Sequence, residues 1–130
     1  MPTMNQEYVP GVCNIGEVEI QQRKRIGWIA LVTCSVLWAV SVVFKLAAPW
    51  RLLLFIPATI AAIGFLQATW HFCAKFGLNG VFNFGSNVGK TETVKQADFR
   101  RQDRRTALRI IGWSALAGVA VAVAAYLIPV

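Results

Sequence analysis

The chain has 130 residues, 56% of them hydrophobic and only 15% charged, with a formal net charge of +7. Ordinary soluble domains carry about 25% charged residues, and here the polar residues are pooled rather than spread, which argues against a soluble enzyme and against a disordered chain. One histidine, three cysteines and six acids leave little material for catalysis, so the expectation is a protein that is not an enzyme and holds no cofactor or metal.

Residues 1–25 are expected to form a cytoplasmic segment that ends in Arg23, Lys24 and Arg25. Lys, Arg, Asp and Glu are then absent from Ile26 through Phe44, from Leu52 through Ala74, and from Ile110 onward. Each run is about 20 residues, enough to cross roughly 30 Å of hydrocarbon. In lipid a segment must satisfy its own backbone N–H and C=O groups, so each run is expected to be an α-helix. The expected fold class is therefore an all-α membrane protein with three transmembrane helices, over Ile26–Ala47, Arg51–Ala74 and Leu108–Ile128. Its first run is too long for a signal-peptide core and lacks an Ala-x-Ala site, so it reads as a retained anchor.

The division is a transmembrane hairpin over 26–74, a cytoplasmic loop and basic helix over 75–107, and a third transmembrane helix over 108–130. Eleven basic residues flank the spans on the side of the N-terminus and the long loop, whereas only Lys45 and Arg51 lie at the turn between the first two spans. Lys and Arg in excess stay cytoplasmic, which predicts the N-terminus inside, the C-terminus outside, and a multi-pass protein of the inner (plasma) membrane. Lys45 and Arg51 are expected to snorkel to the interface. Trp28, Trp50, Trp70 and Trp113 sit near span ends, as interfacial tryptophans do, with Trp38 deeper.

In the hairpin, Pro49 suits the start of the second helix, and Pro57 removes one backbone bond and is expected to kink it. Gly64, Gln67 and His71 form a weakly polar line expected to face protein rather than lipid, with His71, near the cytoplasmic end, expected to be solvated or hydrogen-bonded. The stretch from Phe76 to Gly89 is rich in Gly, Asn and Phe, and reads as a surface-lying or re-entrant segment or a loop docking on a partner. Within it, Gly85 to Thr91 does not have the spacing of a phosphate-binding loop. A helix is expected from about Thr91, with Thr91 as cap, pairing Asp98 with Arg101 and Arg100 with Asp103, and continuing into the third span. Arg100, Arg101, Arg104, Arg105 and Arg109, with Arg23, Lys24 and Arg25, are expected to contact anionic headgroups; a nucleic-acid partner is not expected. The third span carries small residues, with Gly112 nearby and Ser114, Gly118 and Ala122 recurring every four residues. Close approach across such a stripe holds helices together in lipid, either within the chain or against another subunit.

Cys34 reads as a small hydrophobe in the first span. Cys13 and Cys73 fall on the reducing side of the membrane, where a permanent disulfide is not expected. Together with His71 and Gln67 they form a candidate thiol or polar site. Asn14-Ile15-Gly16, Glu19, Arg23 and Gly27 leading into a hairpin with Trp50, Gly64-Phe65 and Phe72-Cys73-Ala74-Lys75-Phe76-Gly77 resemble the small two-helix bacterial inner-membrane domain found alone or fused to rhodanese-type sulfurtransferases. That resemblance covers residues 14–81 and implies an inner-membrane hairpin with a link to sulfur chemistry. Ile20 stands where the family usually has a basic residue, and Ala74 where proline usually follows the cysteine. There is no room for a rhodanese domain. Three functional readings follow, in order. The first is an accessory or structural subunit of a membrane complex, or a self-associating bundle; its partners would be the anionic bilayer and other membrane subunits. The second is thiol or sulfur handling at Cys73, with Cys13 and His71. The third is a small-solute channel formed by an oligomer.

Overall fold

The computed structural model describes residues 7–129; the first six residues of the N-terminal segment and Val130 at the end of the third span lie outside them. Three long helices dominate. Helix α1 (Glu17–Val43) is followed by a short helix α2 (Ala48–Arg51), a 3₁₀ turn (Leu52–Leu54) and α3 (Phe55–Trp70). A one-and-a-half-turn helix α4 (Ala74–Asn79) leads to a two-residue strand β1 (Val81–Phe82), its antiparallel partner β2 (Glu92–Thr93) and the last helix α5 (Ala97–Leu127). The helices α1, Ala48–Trp70 and α5 are each long and apolar enough to cross a membrane. Their outer flanks carry exposed apolar side chains, among them Trp28, Val32, Val36, Ile56, Trp113 and Leu116.

Helix α1 starts nine residues before Ile26, where the uncharged run begins. The acids Glu17 and Glu19 occupy its first turn, where the positive end of the helix dipole favours them. At its far end Lys45 takes a left-handed conformation, φ 52°. Leu46 N–H then donates to Ser41 O (3.0 Å) and Lys45 N–H to Val42 O (3.2 Å), the paired bonds of a Schellman cap. Trp70 is followed by His71 at φ 54°, and Phe72 N–H donates to Gln67 O at 3.0 Å. Neither site carries glycine, so neither stop was legible as a glycine signal.

The expected irregularity at Pro57 falls upstream of it, in the 3₁₀ turn containing Leu53. Leu53 is the residue four before the proline, which has no N–H to offer it and crowds its carbonyl; that carbonyl accepts instead from a backbone N–H at the end of the 3₁₀ turn. Lys45 is exposed, but Arg51 is not at the surface: it is 7% exposed. Its Nη1 donates to Ala125 O and Ile128 O, both at 2.8 Å. Those carbonyls end α5 and have no partner within the helix, so Arg51 caps α5 instead of snorkelling.

The bundle closes where glycine lets backbones touch. A Cβ on Gly64 of α3 would stand 2.7 Å from Gly27 N and 2.8 Å from Arg23 O of α1. A Cβ on Gly118 of α5 would overlap the Thr59 hydroxyl and press on Phe55. Ser114, Gly118 and Ala122 are all buried within the chain, so this stripe packs on the chain's own α3, whereas Gly112 faces open space. Gly118→Leu is therefore expected to detach α5 from α3 and lower the thermal unfolding temperature in detergent, overpacking alone costing about 1–3 kcal/mol. Val121→Leu, on an exposed position, is expected to leave it unchanged; circular dichroism of both variants checks this.

Candidate functional site: a buried polar cluster at one end of the bundle

At the end of the bundle where α1 begins and α3 ends, polar side chains that are distant in sequence meet out of water. Buried polar groups need partners, and here each finds one in another segment. The Asn14 amide clasps the backbone of Cys73: Cys73 N–H donates to Asn14 Oδ1 at 2.7 Å, and Asn14 Nδ2 donates to Cys73 O at 3.2 Å. Gln67 Oε1 accepts from Ala74 N–H at 2.8 Å. Two side chains thus satisfy the first N–H groups of α4, which has no side-chain cap of its own.

Glu19 is 1% exposed. Its carboxylate faces Arg23 Nη1 at 2.8 Å and accepts from Asn83 Nδ2 at 2.7 Å and Gly89 N–H at 2.6 Å. Arg23 Nη2 reaches Cys73 Sγ at 3.1 Å, and the guanidinium lies 5.4 Å from the centre of the Phe76 ring. Asn83 exchanges backbone bonds with the N-terminal segment: Asn83 N–H donates to Asn14 O, and Gly16 N–H to Asn83 O. The Gly/Asn/Phe loop is pinned to the chain's own N-terminal segment at Asn83 and to Glu19 at Gly89.

A second buried carboxylate sits nearby. Asp103, expected as a surface partner of Arg100, is fully buried and accepts from Tyr8 Oη at 2.6 Å and Gly11 N–H at 2.7 Å. Thr106 Oγ1 donates to Gly11 O at 2.6 Å, so residues 8–11 dock along α5. Gly11 has φ 71°, and a Cβ there would meet Gln102 at 3.2 Å. Burial, the hydrogen bond to Asp103 and that carboxylate's charge push the Tyr8 phenol well above its ordinary range. Arg100 instead donates to Val94 O and Lys95 O. Of the two predicted pairs only Asp98–Arg101 forms, at 3.2 Å and exposed. The helix expected from Thr91 starts at Ala97, because Glu92 and Thr93 pair with Phe82 and Val81.

Of the four residues of the candidate thiol site, Cys73 and Gln67 stay together at one turn, whereas His71 and Cys13 do not join them. Cys73 is 2% exposed and touches Arg23; Gln67 is buried against the same turn. The His71 side chain is exposed, and the residue contributes its carbonyl, which accepts from Asn14 N–H at 3.1 Å. Cys13 is half-buried, its thiol pushed up by burial, and its Sγ faces Ile15 O at 3.7 Å. All three cysteines are free. Lys24, Arg25, Arg100, Arg101, Arg104, Arg105 and Arg109 are exposed on the flanks. Among the described residues no group of three His, Cys, Asp or Glu side chains stands together as a metal site. Glu19, Asn83, Asp103 and Tyr8 were not among the candidate site residues: the Glu19–Asn83 and Tyr8–Asp103 bonds join residues 64 and 95 apart, whereas the Glu19–Arg23 pair, four apart, is local.

Arg23→Ala leaves the Glu19 carboxylate buried without its counter-charge and is expected to cost about 3–5 kcal/mol. Asn14→Ala orphans the Cys73 N–H and is expected to cost about 1–3 kcal/mol; unfolding in detergent followed by circular dichroism ranks the two. A phenol with a raised value in the folded chain stabilises it below the ordinary tyrosine pKa of about 10 and ceases to do so as pH rises through the folded value. Asp103→Asn is therefore expected to move the Tyr8 phenolate absorbance to lower pH, with Tyr8→Phe identifying the band. Comparison of the chain with protein-family models, with curated proteins and with solved structures gives no match.

Proposed function

We propose that the chain is a multi-pass protein of the inner (plasma) membrane, without catalytic activity of its own, that serves as an accessory structural subunit of a membrane complex. Its N-terminus and loop face the cytoplasm and its C-terminus the outside. The observation that carries this reading is the division of labour among side chains. Apolar residues of three spanning-length helices point outward, while the polar groups at the other disposal of the fold, Asn14, Glu19, Gln67, Asn83 and Asp103, are engaged in holding its segments together. A scaffold needs such a rigid end; an enzyme needs some of those groups open to a substrate.

The accessory role is favoured over self-association through the small-residue stripe, because Ser114, Gly118 and Ala122 are occupied inside the chain. The basic flanks Arg104, Arg105 and Arg109 support the inward orientation, with contacts to anionic headgroups. Asn14, Glu19, Arg23 and Cys73, which belong to the resemblance to the bacterial two-helix domain, are also members of the buried cluster, which supports a bacterial setting.

One observation favours a second reading, thiol or sulfur handling at Cys73: the Arg23 guanidinium stands 3.1 Å from Sγ, and charged neighbours of this kind occur at reactive cysteines. Native mass spectrometry of gently solubilised membranes distinguishes the readings. The chain is expected inside a larger assembly that survives Cys73→Ser; a chain travelling alone contradicts the subunit reading. Cys73 in the folded protein is expected to resist a maleimide that labels it after unfolding, and rapid labelling in the native state favours the thiol reading instead.

A further inference from the structure

Two hollows lie side by side at the end of the bundle that carries the polar cluster. The first is a groove of about 480 Å³ whose walls are Ile26 of α1, Ile60 and Ile63 of α3 and Ile111 of α5, with Arg23 and Lys75 at its head. From Ile60 to Gln67 it runs about 10 Å along α3, at 1.5 Å per residue. The second is a polar basin of about 410 Å³ lined by Arg100, Arg101 and Arg104. The two share Leu78 and Asn79 of α4, so an isoleucine-lined groove and an arginine-lined basin border the same edge of α4. No acidic residue lines either one.

Resting on the reading of the three helices as membrane spans, we propose that this pair of hollows is a binding site for one anionic glycerophospholipid, its acyl chain in the isoleucine groove and its phosphate in the basin. Charge complementarity selects this occupant. Lys75 and Arg104 are exposed and have no hydrogen-bond or ion-pair partner among the described residues. Arg100 is held by two backbone carbonyls and Arg101 by Asp98, so Arg104 is the free cation lining the basin and Lys75 a second free cation at the head of the groove, on the other side of the shared Leu78–Asn79 edge. Basic pockets between spanning helices are suited to anionic headgroups. A free anion would leave the isoleucine groove unfilled, and a neutral lipid would leave the cations unpaired. Burial of acyl methylenes and pairing of phosphate are each weak alone, and the shared Leu78–Asn79 edge lets one molecule make both.

The full chain in a mild non-ionic detergent is mixed with equal amounts of phosphatidylglycerol and phosphatidylcholine of the same acyl chains, and retained lipid is read by native mass spectrometry. Phosphatidylglycerol is expected to be retained about tenfold over phosphatidylcholine, two basic groups supplying the preference. Lys75→Gln with Arg104→Gln is expected to remove that preference. Ile63→Trp, which fills the groove and leaves the cations, is expected to lower retention of both lipids. Both sets of variants are checked for native helix content by circular dichroism. Equal retention of the two lipids by the natural chain, or a preference untouched by the double substitution, overturns the proposal. Displacement of the lipid by glycerophosphoglycerol or inorganic phosphate at matched concentration overturns it too, since the basin then takes a free anion. A chain that leaves the membrane fraction in plain buffer overturns the membrane reading itself, a result distinct from equal retention.

Discussion

A carboxylate buried at the head of three apolar helices dictates much of what surrounds it. Glu19 lies in the first turn of a helix that is almost wholly apolar from Ile26 onward, and it is 1% exposed. An ionised group taken out of water needs a counter-charge and hydrogen bonds for its remaining lone pairs. Arg23, one turn later, supplies the charge; Asn83 and Gly89, far along the chain, supply the bonds. Satisfying Glu19 therefore draws the Gly/Asn/Phe loop down onto α1. Once Asn83 is there, its backbone pairs with Asn14 and Gly16, and Asn14 in turn holds the turn at Cys73. One costly burial thus links the N-terminal segment, the loop and the junction between α3 and α4.

The spans themselves obey a different logic. Apolar side chains gain little by leaving lipid for one another, so the helices adhere through close approach, Gly64 against Gly27 and Gly118 against Thr59 and Phe55. The two ends of the bundle are unequal in consequence. At the turn between α1 and α2 a single guanidinium, Arg51, closes the end of α5. At the opposite end two buried carboxylates, a clasping asparagine and a capping glutamine tie four segments together. Rigidity concentrated at one end suits a protein that presents that face to a partner or to headgroups.

The three helices of membrane-spanning length were legible because charge is absent from runs of the right length, a signal that needs no knowledge of partners. Where α5 packs was half legible: the four-residue recurrence of Ser114, Gly118 and Ala122 marks a contact face, but only the position of Thr59 and Phe55 says which helix it meets. Asn14, Glu19, Arg23 and Cys73 all stand in the stretch read from the sequence, but nothing there said that they meet one another in a buried cluster. The imidazole of His71 is exposed, as its place near the span end suggested, but the left-handed turn that the chain makes there had no signal in the sequence. Asp103 misled: three-residue spacing offered Arg100 as partner, and the stronger claim of Tyr8 and Gly11 comes from the opposite end of the sequence. Local spacing cannot register such long-range competition, and the short β1–β2 pairing that delays the start of α5 to Ala97 escaped for the same reason.

The account rests on three crossings that leave the buried cluster on the cytoplasmic side and the end of α5 on the other. Protease accessibility of a tag fused after Val130, in intact cells and in inverted membrane vesicles, tests it most directly. Cleavage is expected from the outside of intact cells and protection is expected in inverted vesicles. Cleavage only in inverted vesicles, or a tagged chain that stays in solution without detergent, would contradict it.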